Sequence, residues 1–341
     1  MAGSAPPSNF NPGGRIRRVT VVQQDELIRL CVDALVQVGE EQTAATTLAE
    51  ATVEAELLGI RAVGVAHLFD YLAGYREGRI AAGARPVVRR VAPAVVEVDA
   101  DRGLAQVAFA EARAELLSAT TNSGIAALWI KGSFTCGELG YYPRSLAQQG
   151  FLGLAVANAT ALMSLGGAPH SVLGTNPVAY AVPRPGQLPL VIDQASSATA
   201  YVNVRAAAAG GRSIPPGWAL GPDGRTTEDA ATALQGTLLP FGGHRGGNIA
   251  LLVELLATLS GASFSLDSPP FDRGTDSPAI GVFILCIDPQ VFGGSLDRIT
   301  TYLDRLTAEH QVRLPALEIT AVPERADLDQ ALLDQLRQAA G

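Results

Sequence analysis

Short apolar runs of strand length, clustered between about residues 86 and 290, constrain the fold of this chain most. The run at 86–100 is rich in β-branched residues, and "IAALWIKG" and "AIGVFILCID" are apolar almost throughout. Helix-like segments separate these runs, for example "AQVAFAEARAELLSATTNSG" and "YYPRSLAQQG". Strand and helix patterns mixed in this way predict an α/β or α+β core.

Both ends of the chain have a helical pattern. From Val22 to about Gly59 apolar residues recur mostly at three- and four-residue steps, and another helix is predicted from about Val65 to Gly78. Further helices are predicted around 296–311 and 328–339. We therefore predict a helical domain over residues 16–85, completed by 262–341, and a second domain over 86–261 that carries the site. Residues 1–15, rich in Gly, Pro, Ser and Asn, are expected to form a flexible tail.

Composition excludes several classes of function. Hydrophobic residues make up 48% of the chain, yet no uncharged apolar run reaches the ~20 residues needed to span a bilayer. The N-terminus lacks the apolar core of a secretion signal. Three cysteines without metal-ligand spacing are typical of a reducing compartment and predict no metal site. A net charge of −8 argues against nucleic acid as a partner. We expect a cytoplasmic protein without a membrane partner.

The segment "GGHRGGNIALLVELLATLSG" combines a glycine-rich turn with an apolar helix. Four glycines in six residues favour tight turning or close backbone approach to a ligand, and a following helix N-terminus favours an anion. Arg245 adds a positive charge. The alternative is a purely structural glycine turn. Because no G-x-G-x-x-G motif lies at a strand-to-helix turn, a Rossmann fold is not supported.

Polar residues follow several of the apolar runs. Asp193 ends "LPLVID", Asn158 ends "LGLAVAN", and Thr175 and Asn176 form a polar turn before a strand. Each has an ordinary structural explanation, because an acid at a strand end is often a helix cap and Thr-Asn pairs are common in turns. The alternative interpretation is that these residues shape a binding pocket.

Taken together and in order, five segments resemble the malate/L-lactate dehydrogenase family of the non-Rossmann type. They are "LGTNPVAYAVP", "LPLVIDQASS", "IPPGWALGPDGRTTED", "LPFGGHRGGNIALLVELLATLSGA" and "VPERADL". The match covers about residues 20 to 330. That family also includes sulfolactate, ureidoglycolate and diketogulonate dehydrogenases and reductases of cyclic imino acids. The resemblance implies a homodimer and a mixed sheet that binds NADPH or NADH in an extended form, with the active site near the dimer interface.

The resemblance also implies which residues hold the cofactor. Ser197 matches a family serine, whereas Arg245 replaces a lysine and the "PER" segment lacks a glycine found in the family. The cofactor-binding residues implied are Asn158, Thr175, Asn176, Asp193, Ser197, Gly243, His244, Arg245, Gly246, Pro323, Glu324 and Arg325.

The catalytic histidines of the family are absent. Where the family has Ser-His-Gly, this chain has Ala62, Val63 and Gly64, and Thr135 stands where a second loop carries histidine. A general acid contributes about 10²–10⁴-fold to carbonyl reduction, so ordinary 2-hydroxy-acid dehydrogenation is expected to be impaired. The alternative to a working site is one whose chemistry has been lost.

Three compensations are conceivable. His67, one helical turn beyond Val63, can project into the same pocket, although a lone helical histidine is commonly a packing residue. Cys136 and Glu138 on the altered loop can supply acid or nucleophile chemistry, or be packing and solvated residues. Finally, a cyclic iminium substrate already carries its proton, and Asp193 or Glu138 can stabilise that cation. The catalytic candidates are therefore His67, Asp193, Thr135 and Glu138.

Three functions remain open at the level of sequence. The first is an NAD(P)H-dependent reductase of a C=N or unusual 2-oxo acid substrate, acting through a divergent active site. The second is a non-redox enzyme on the same scaffold, such as an isomerase, cyclase or lyase. The third is a binding relative without turnover. The retained glycine turn, Asp193 and Asn176 favour the first, and the apolar Ala62–Val63 pair favours the other two.

Overall fold

The computed structural model describes residues 18–293 and 295–341, so the predicted tail at 1–15 lies outside the described residues. The strands are β1 Val19–Gln23, β2 Val87–Ala92, β3 Val95–Asp99, β4 Ile125–Ser133, β5 Leu152–Ala157, β6 Val178–Val182, β7 Leu190–Gln194, β8 Ala219–Leu220, β9 Thr226–Thr227, β10 Thr237–Leu238, β11 Ile280–Ile287 and β12 Arg325–Asp329. The helices are α1 Gln24–Gln37, α2 Gln42–Leu57, α3 Val65–Arg76, α4 Ala105–Ser123, α5 Tyr141–Ala147, α6 Tyr201–Ala209, α7 Ala230–Ala233, α8 His244–Thr258, α9 Leu296–Ala308, α10 Pro315–Glu318 and α11 Gln330–Ala340. Short 3₁₀ turns lie at Arg61–Val63 and Pro289–Phe292.

A seven-stranded mixed sheet organises the described part of the chain, in the order β2-β3-β4-β11-β5-β6-β7. Only β3 and β4 pair in parallel, and the other neighbours are antiparallel. The predicted α/β architecture and mixed sheet are confirmed. This topology brings the carboxyl ends of β4, β5 and β7 to the same edge as the amino ends of β6 and β11.

The two faces of this sheet are both covered, which explains why its central strands are apolar throughout. Val282 and Ile284 of β11 pack with α4 residues such as Phe109 on one side, whereas Phe283 packs with Val253 of α8 on the other. Trp129 of β4 contacts Phe283 at a ring-centroid distance of 4.7 Å and donates a hydrogen bond from Nε1 to Leu256 O. Helix α8 is thereby fixed on the sheet.

A separate core joins the helices at both ends of the chain. It includes Leu27 and Leu35 of α1, Leu48 of α2, Leu72 of α3 and Leu333 of α11, all fully buried. Strand β1 pairs antiparallel with β12 beneath these helices. The hydrophobic stripe of each helix faces this core, as the three- and four-residue spacing predicts.

The division into two domains stays a prediction, and one part of it needs revision. Ile280–Ile287 lies in the middle of the sheet rather than with the helices, because its alternating side chains fill both sheet faces. Only part of the segment 262–341 therefore adds to the helical core. Strands β8 and β9 lie in the Gly/Pro-rich residues 210–229 and pair with β10 in a small sheet of order β10-β8-β9, which packs with α6 and α7 around Met163 and Ile214.

Candidate active site

A cavity of about 690 Å³ opens where the carboxyl ends of β4, β5 and β7 meet. The loop after β4, the end of β7, the turn before α3 and residues near 320 form its walls. Most of the lining is apolar, including Ile60, Val63, Phe134, Phe271 and Ile280. The structure brings these predicted residues together on the cavity wall: His67, Thr135, Glu138, Asn158, Thr175 and Asp193.

Asp193 lies at the end of β7 with part of its surface open to the cavity. Its Oδ2 accepts a hydrogen bond from Gly140 N at 2.8 Å. Loss of solvation between the cavity walls raises the pKa of this carboxyl to about 6, the Gly140 N–H opposes the shift, and the charge of Glu138 adds to it. A carboxyl group with this pKa can exchange a proton near neutral pH.

Glu138 is engaged in a buried ion pair, which does not favour the acid role predicted for it. Its two oxygens accept hydrogen bonds from Nη1 and Nη2 of Arg144, both at 2.7 Å, and its side chain is buried. Arg144 also donates from Nε and Nη2 to the carboxylate of Glu54 on α2, at 3.1 and 3.0 Å. Burial and pairing leave Glu138 a structural role, which is to hold the loop against α5 and α2.

His67 faces the cavity from α3, and a carboxylate fixes its ring. Nδ1 lies 2.7 Å from Oδ2 of Asp70, and the ring contacts Tyr71 edge-on at a centroid distance of 4.9 Å. Asp70 was not among the predicted site residues, although its position three residues after His67 places both on one helix face. An imidazole paired in this way presents a defined ring orientation.

Helix α3 is positioned by a buried acid on α2. Glu56 accepts a hydrogen bond from Val65 N at 3.0 Å, at the start of α3, and burial raises the pKa of its carboxyl. Gly64 makes this possible, because a Cβ there would overlap Oε2 of Glu56. The Gly64 of the altered family motif therefore keeps a packing function even though the preceding residues are apolar.

Thr135 is engaged in a hydrogen bond within the protein, and the thiol of Cys136 is buried. Thr135 Oγ1 donates to Tyr71 OH at 3.0 Å, and Tyr71 OH also accepts from Gln106 Nε2 at 3.2 Å. Burial raises the pKa of the Cys136 thiol to about 12, which removes its thiolate at neutral pH. The nucleophile considered for this loop is therefore not supported.

Several residues expected at the cofactor are engaged within the protein. Asn158 donates from Nδ2 to Ser263 O at 2.7 Å and accepts from Gly281 N at 2.8 Å. Asn176, buried and at φ +35°, donates from Nδ2 to Ala250 O and to Glu254 Oε2 of α8. Asn176 thus joins the turn before β6 to α8, whereas Asn158 joins the end of β5 to β11 and to Ser263. The cofactor contacts predicted for both side chains stay predictions.

The remaining predicted residues lie beside the cavity rather than on its wall. Ser197 is buried and donates to Thr199 O at 2.7 Å. Pro323, Glu324 and Arg325 are exposed next to Val322, a lining residue, and Glu324 O accepts from Gln24 N at the start of α1. Their roles toward a cofactor stay predictions.

The glycine turn before α8 fits a phosphate-bearing group. Gly242 and Gly243 have φ of 56° and 64°, conformations that favour glycine, and His244 and Arg245 are exposed at the helix N-terminus. No side chain of the described residues caps this terminus, so its N–H groups and Arg245 present positive potential to an anion. Gly246 is buried, and a Cβ there would overlap Phe241 O.

A short stretch of paired backbone connects this turn to the cavity. Ala198 N donates to Leu239 O at 2.7 Å and Phe241 N donates to Ser196 O at 3.0 Å. Ala195, directly before this pairing, lines the cavity next to Asp193. An extended ligand with phosphates at the turn and a reactive ring in the cavity fits this arrangement.

Within residues 18–293 and 295–341, no helix combines the length and apolar character required to cross a bilayer.

Comparisons with known proteins agree with this geometry. The chain is 36% identical over 318 residues to (2R)-3-sulfolactate dehydrogenase (NADP(+)) of Chromohalobacter salexigens, covering 91% of this chain and 95% of that protein. It is 34% identical to the Delta(1)-pyrroline-2-carboxylate/Delta(1)-piperideine-2-carboxylate reductase of Pseudomonas syringae pv. tomato, covering 94% and 96%. The crystal structure of delta1-piperideine-2-carboxylate reductase from that organism superimposes with a TM-score of 0.86 at 32% identity, over 94% of this chain and 99% of that one.

The family model for malate/L-lactate dehydrogenase matches residues 22–323. This span includes both helical and sheet regions, the cavity and the glycine turn. The chain is therefore a member of the malate/L-lactate dehydrogenase family of oxidoreductases.

Proposed function

We propose that this protein catalyses the NAD(P)H-dependent reduction of a cyclic C=N bond to a cyclic amine. The observation that carries the proposal is Asp193, a carboxyl group with a pKa near 6 on the wall of an apolar cavity. Val63 and Thr135 stand where the resemblance to the family places histidine, so neither position supplies the acid that a ketone needs. The similarity to reductases of pyrroline and piperideine carboxylates supports the same chemistry.

A protonated imine differs from a ketone in what it requires. The iminium carbon is already activated by the proton on nitrogen, whereas a ketone oxygen must receive a proton as the hydride arrives. A site that reduces an iminium therefore needs a group that keeps this proton on the nitrogen. Asp193 fulfils that need either as a carboxylate that pairs with the iminium or as the acid that protonates the imine, and both arrangements contain one shared proton.

When bound, NADPH or NADH supplies the hydride. The residues of this chain would bind its phosphates at the N-terminus of α8, where Gly242 and Gly243 allow close approach and Arg245 contributes charge. The cavity walls would exclude water from the reacting ring, since they consist mainly of aliphatic and aromatic side chains. Gly140 N, by donating to Asp193, would hold the carboxyl group in one orientation.

The His67–Asp70 pair favours a second candidate, the reduction of an unusual 2-oxo acid. An imidazole held by a carboxylate at the cavity wall can donate a proton to a carbonyl oxygen. The similarity to a sulfolactate dehydrogenase supports this alternative. It predicts that replacing His67 with Gln abolishes turnover of 2-oxo acids while reduction of cyclic imines persists.

The test combines binding and turnover with purified protein. Titration with NADPH and with NADH, followed by Trp129 and Trp218 fluorescence and by calorimetry, is expected to show micromolar binding of at least one, weakened about tenfold by Arg245→Ala. Cyclic imines should then oxidise the bound cofactor, and 2-oxo acids should react more slowly. Absence of binding up to millimolar concentration would contradict a reductase of either kind.

We further propose a cytoplasmic homodimer. A row of large apolar side chains on α8 and just beyond it is solvent-exposed in one subunit, including Leu252 at 56%, Leu255 at 52% and Leu259 at 68%. Exposed apolar patches of this kind are typical of protein–protein interfaces. The three cysteines are free, which is consistent with a reducing compartment.

A further inference from the structure

The charged side chains around the cavity indicate which substituent the substrate ring bears in addition to its C=N bond. Two basic side chains are among the described residues that line it, Arg144 and His67. Arg144 is shared between the carboxylates of Glu138 and Glu54, and His67 is paired with Asp70. Asp193 contributes a further carboxyl group. Together with Glu54 and Asp70, which contact these two basic side chains from outside the lining, four carboxyl groups surround them.

A substrate carboxylate would meet an unfavourable environment here. To form an ion pair with Arg144, it would have to compete with the bidentate contact of Glu138, whose buried carboxylate would then be left with Glu54 and Asp193 as its charged neighbours. The His67 ring is engaged through Nδ1 by Asp70, whose carboxylate would offset the charge of a protonated imidazole. An anion placed in this cavity would lose its hydration without gaining an unengaged arginine or lysine from the described lining residues.

The same arrangement favours a cationic ring with hydrocarbon substituents. The carboxyl groups would stabilise the positive charge on the iminium nitrogen. The rest of the ring would contact Ile60, Val63, Phe134 and Phe271. Ala62 and Val63 extend this apolar wall at the turn before α3. Burial of an alkyl or aryl substituent against these side chains contributes about 0.8 kcal/mol for each CH₂ group.

We propose that the substrate is a cyclic imine whose C=N carbon bears an alkyl or aryl group instead of a carboxylate. This inference rests on the proposed reductase function and specifies its substrate. The similar pyrroline-2-carboxylate and piperideine-2-carboxylate reductases are named for substrates with a carboxylate on the ring, so this chain would differ from them in the ring substituent that it accepts. In the reaction, hydride and its electron pair add to the iminium carbon, and the π electrons of C=N move to nitrogen. The nitrogen keeps its proton, so the products are a secondary cyclic amine and NAD(P)⁺.

The experiment compares three substrates at equal concentration with saturating NADPH and, separately, NADH. They are 2-methyl-1-pyrroline, 2-phenyl-1-pyrroline and 1-pyrroline-2-carboxylate, each followed by loss of reduced-cofactor absorbance and by detection of the amine. We expect kcat/KM at least tenfold higher for the two uncharged substituents. Equal or faster reduction of the carboxylate would overturn the substrate assignment and leave the reductase function standing. Reduction of none of the three, with cofactor binding intact, would overturn both.

A charge variant tests the physical reason directly. His67→Arg places a permanent cation at the cavity wall, and Ala66→Arg adds the same charge on the exposed side of α3 as a matched control. His67→Arg should raise kcat/KM for 1-pyrroline-2-carboxylate relative to 2-methyl-1-pyrroline by at least tenfold, whereas Ala66→Arg should leave this ratio unchanged. An unchanged ratio in a folded His67→Arg protein would refute the argument from charge.

Discussion

At the scale of single residues, Asp193 is important both for the proposed reaction and for how the stability of the fold depends on pH. Its pKa is raised from 3.8 to about 6, so the folded protein binds a proton that the unfolded chain has released between these values. The contribution of Asp193 to folding is therefore favourable below pH 4 and is lost as pH rises through 6. The carboxyl group on which the proposed reaction depends thus lowers stability once it is ionised at neutral pH.

Replacing Asp193 with Asn separates these two effects. We expect kcat/KM for cyclic imines to fall by about 10²–10⁴-fold, because the shared proton loses its carboxyl group. The acid limb of the pH–rate profile near pH 6 should disappear from the residual activity. Thermal unfolding should show a melting temperature equal to wild type at pH 4 and higher than wild type at pH 8. A variant that is less stable at pH 8 would show that the ionised carboxylate stabilises the fold.

The buried pair of Arg144 and Glu138 makes a different prediction. Arg144→Met leaves Glu138 buried without its bidentate partner and should lower the free energy of unfolding by about 3–5 kcal/mol. Glu54→Gln, which changes the more exposed partner of the same arginine, serves as the control and should cost much less. Denaturant titrations of both variants measure the difference. Similar losses would mean that burial of Glu138 has no energetic consequence.

The sequence predicts which residues line the site more reliably than it predicts the roles of their side chains. The sequence predicts Asp193, Thr135 and His67 as catalytic candidates, and all three lie on the cavity wall. The bidentate contact between Glu138 and Arg144 was not foreseeable, because six residues and a turn at Gly140 separate them and no periodicity links the two. A side chain's charge can be read from sequence, but whether it is already neutralised depends on tertiary contacts.

At the scale of elements, the entrance to α8 depends on two buried glycines of different tolerance. A Cβ at Gly246 would overlap the backbone of Phe241, which cannot move without breaking the Gly246 N–H to Phe241 O hydrogen bond. A Cβ at Gly247 would lie 2.9 Å from Cδ1 of Leu165, the end of a flexible side chain. Substitution by alanine is therefore expected to destabilise the protein more at Gly246 than at Gly247.

We expect Gly246→Ala to destabilise the protein by about 1–3 kcal/mol and to weaken cofactor binding more than tenfold, as the turn before α8 is displaced. Gly247→Ala, the matched control, should keep cofactor affinity within about threefold, because rotation of Leu165 relieves the contact. Calorimetric titration with NADPH or NADH and thermal unfolding of both variants provide the measurement. Equal losses of affinity would argue against a cofactor role for this turn.

Element boundaries followed from sequence where periodicity was strong and failed where strands were very short. Helix α3, predicted from about Val65 to Gly78, runs over Val65–Arg76. The two-residue strands β8 and β9 lie in a Gly/Pro-rich segment and β10 follows it, and so few residues cannot show the alternation by which a strand is recognised. Their place is set by pairing with one another and by packing on α6 and α7, which are tertiary effects.

At the scale of the whole molecule, the exposed row on α8 predicts the assembly state. Leu252→Glu combined with Leu255→Glu should convert a dimer into a monomer, because charges would be buried at the proposed interface. Light scattering coupled to size-exclusion chromatography measures the mass of wild type and variant. Val87→Glu and Val91→Glu, exposed positions on the edge strand β2, provide a control that should stay dimeric. A monomeric wild-type protein would refute the proposal.

The position of β11 in the sheet has a consequence for the order in which the chain can fold. Residues 280–287 insert between β4 and β5, so a nascent chain that has emerged from the ribosome only to residue 279 lacks the strand that joins the two halves of its sheet. We expect the strands before β11 to remain partly exposed, with the sheet incomplete, until synthesis is almost finished. Protease sensitivity of stalled nascent chains should therefore drop sharply once β11 is released, rather than gradually along the chain.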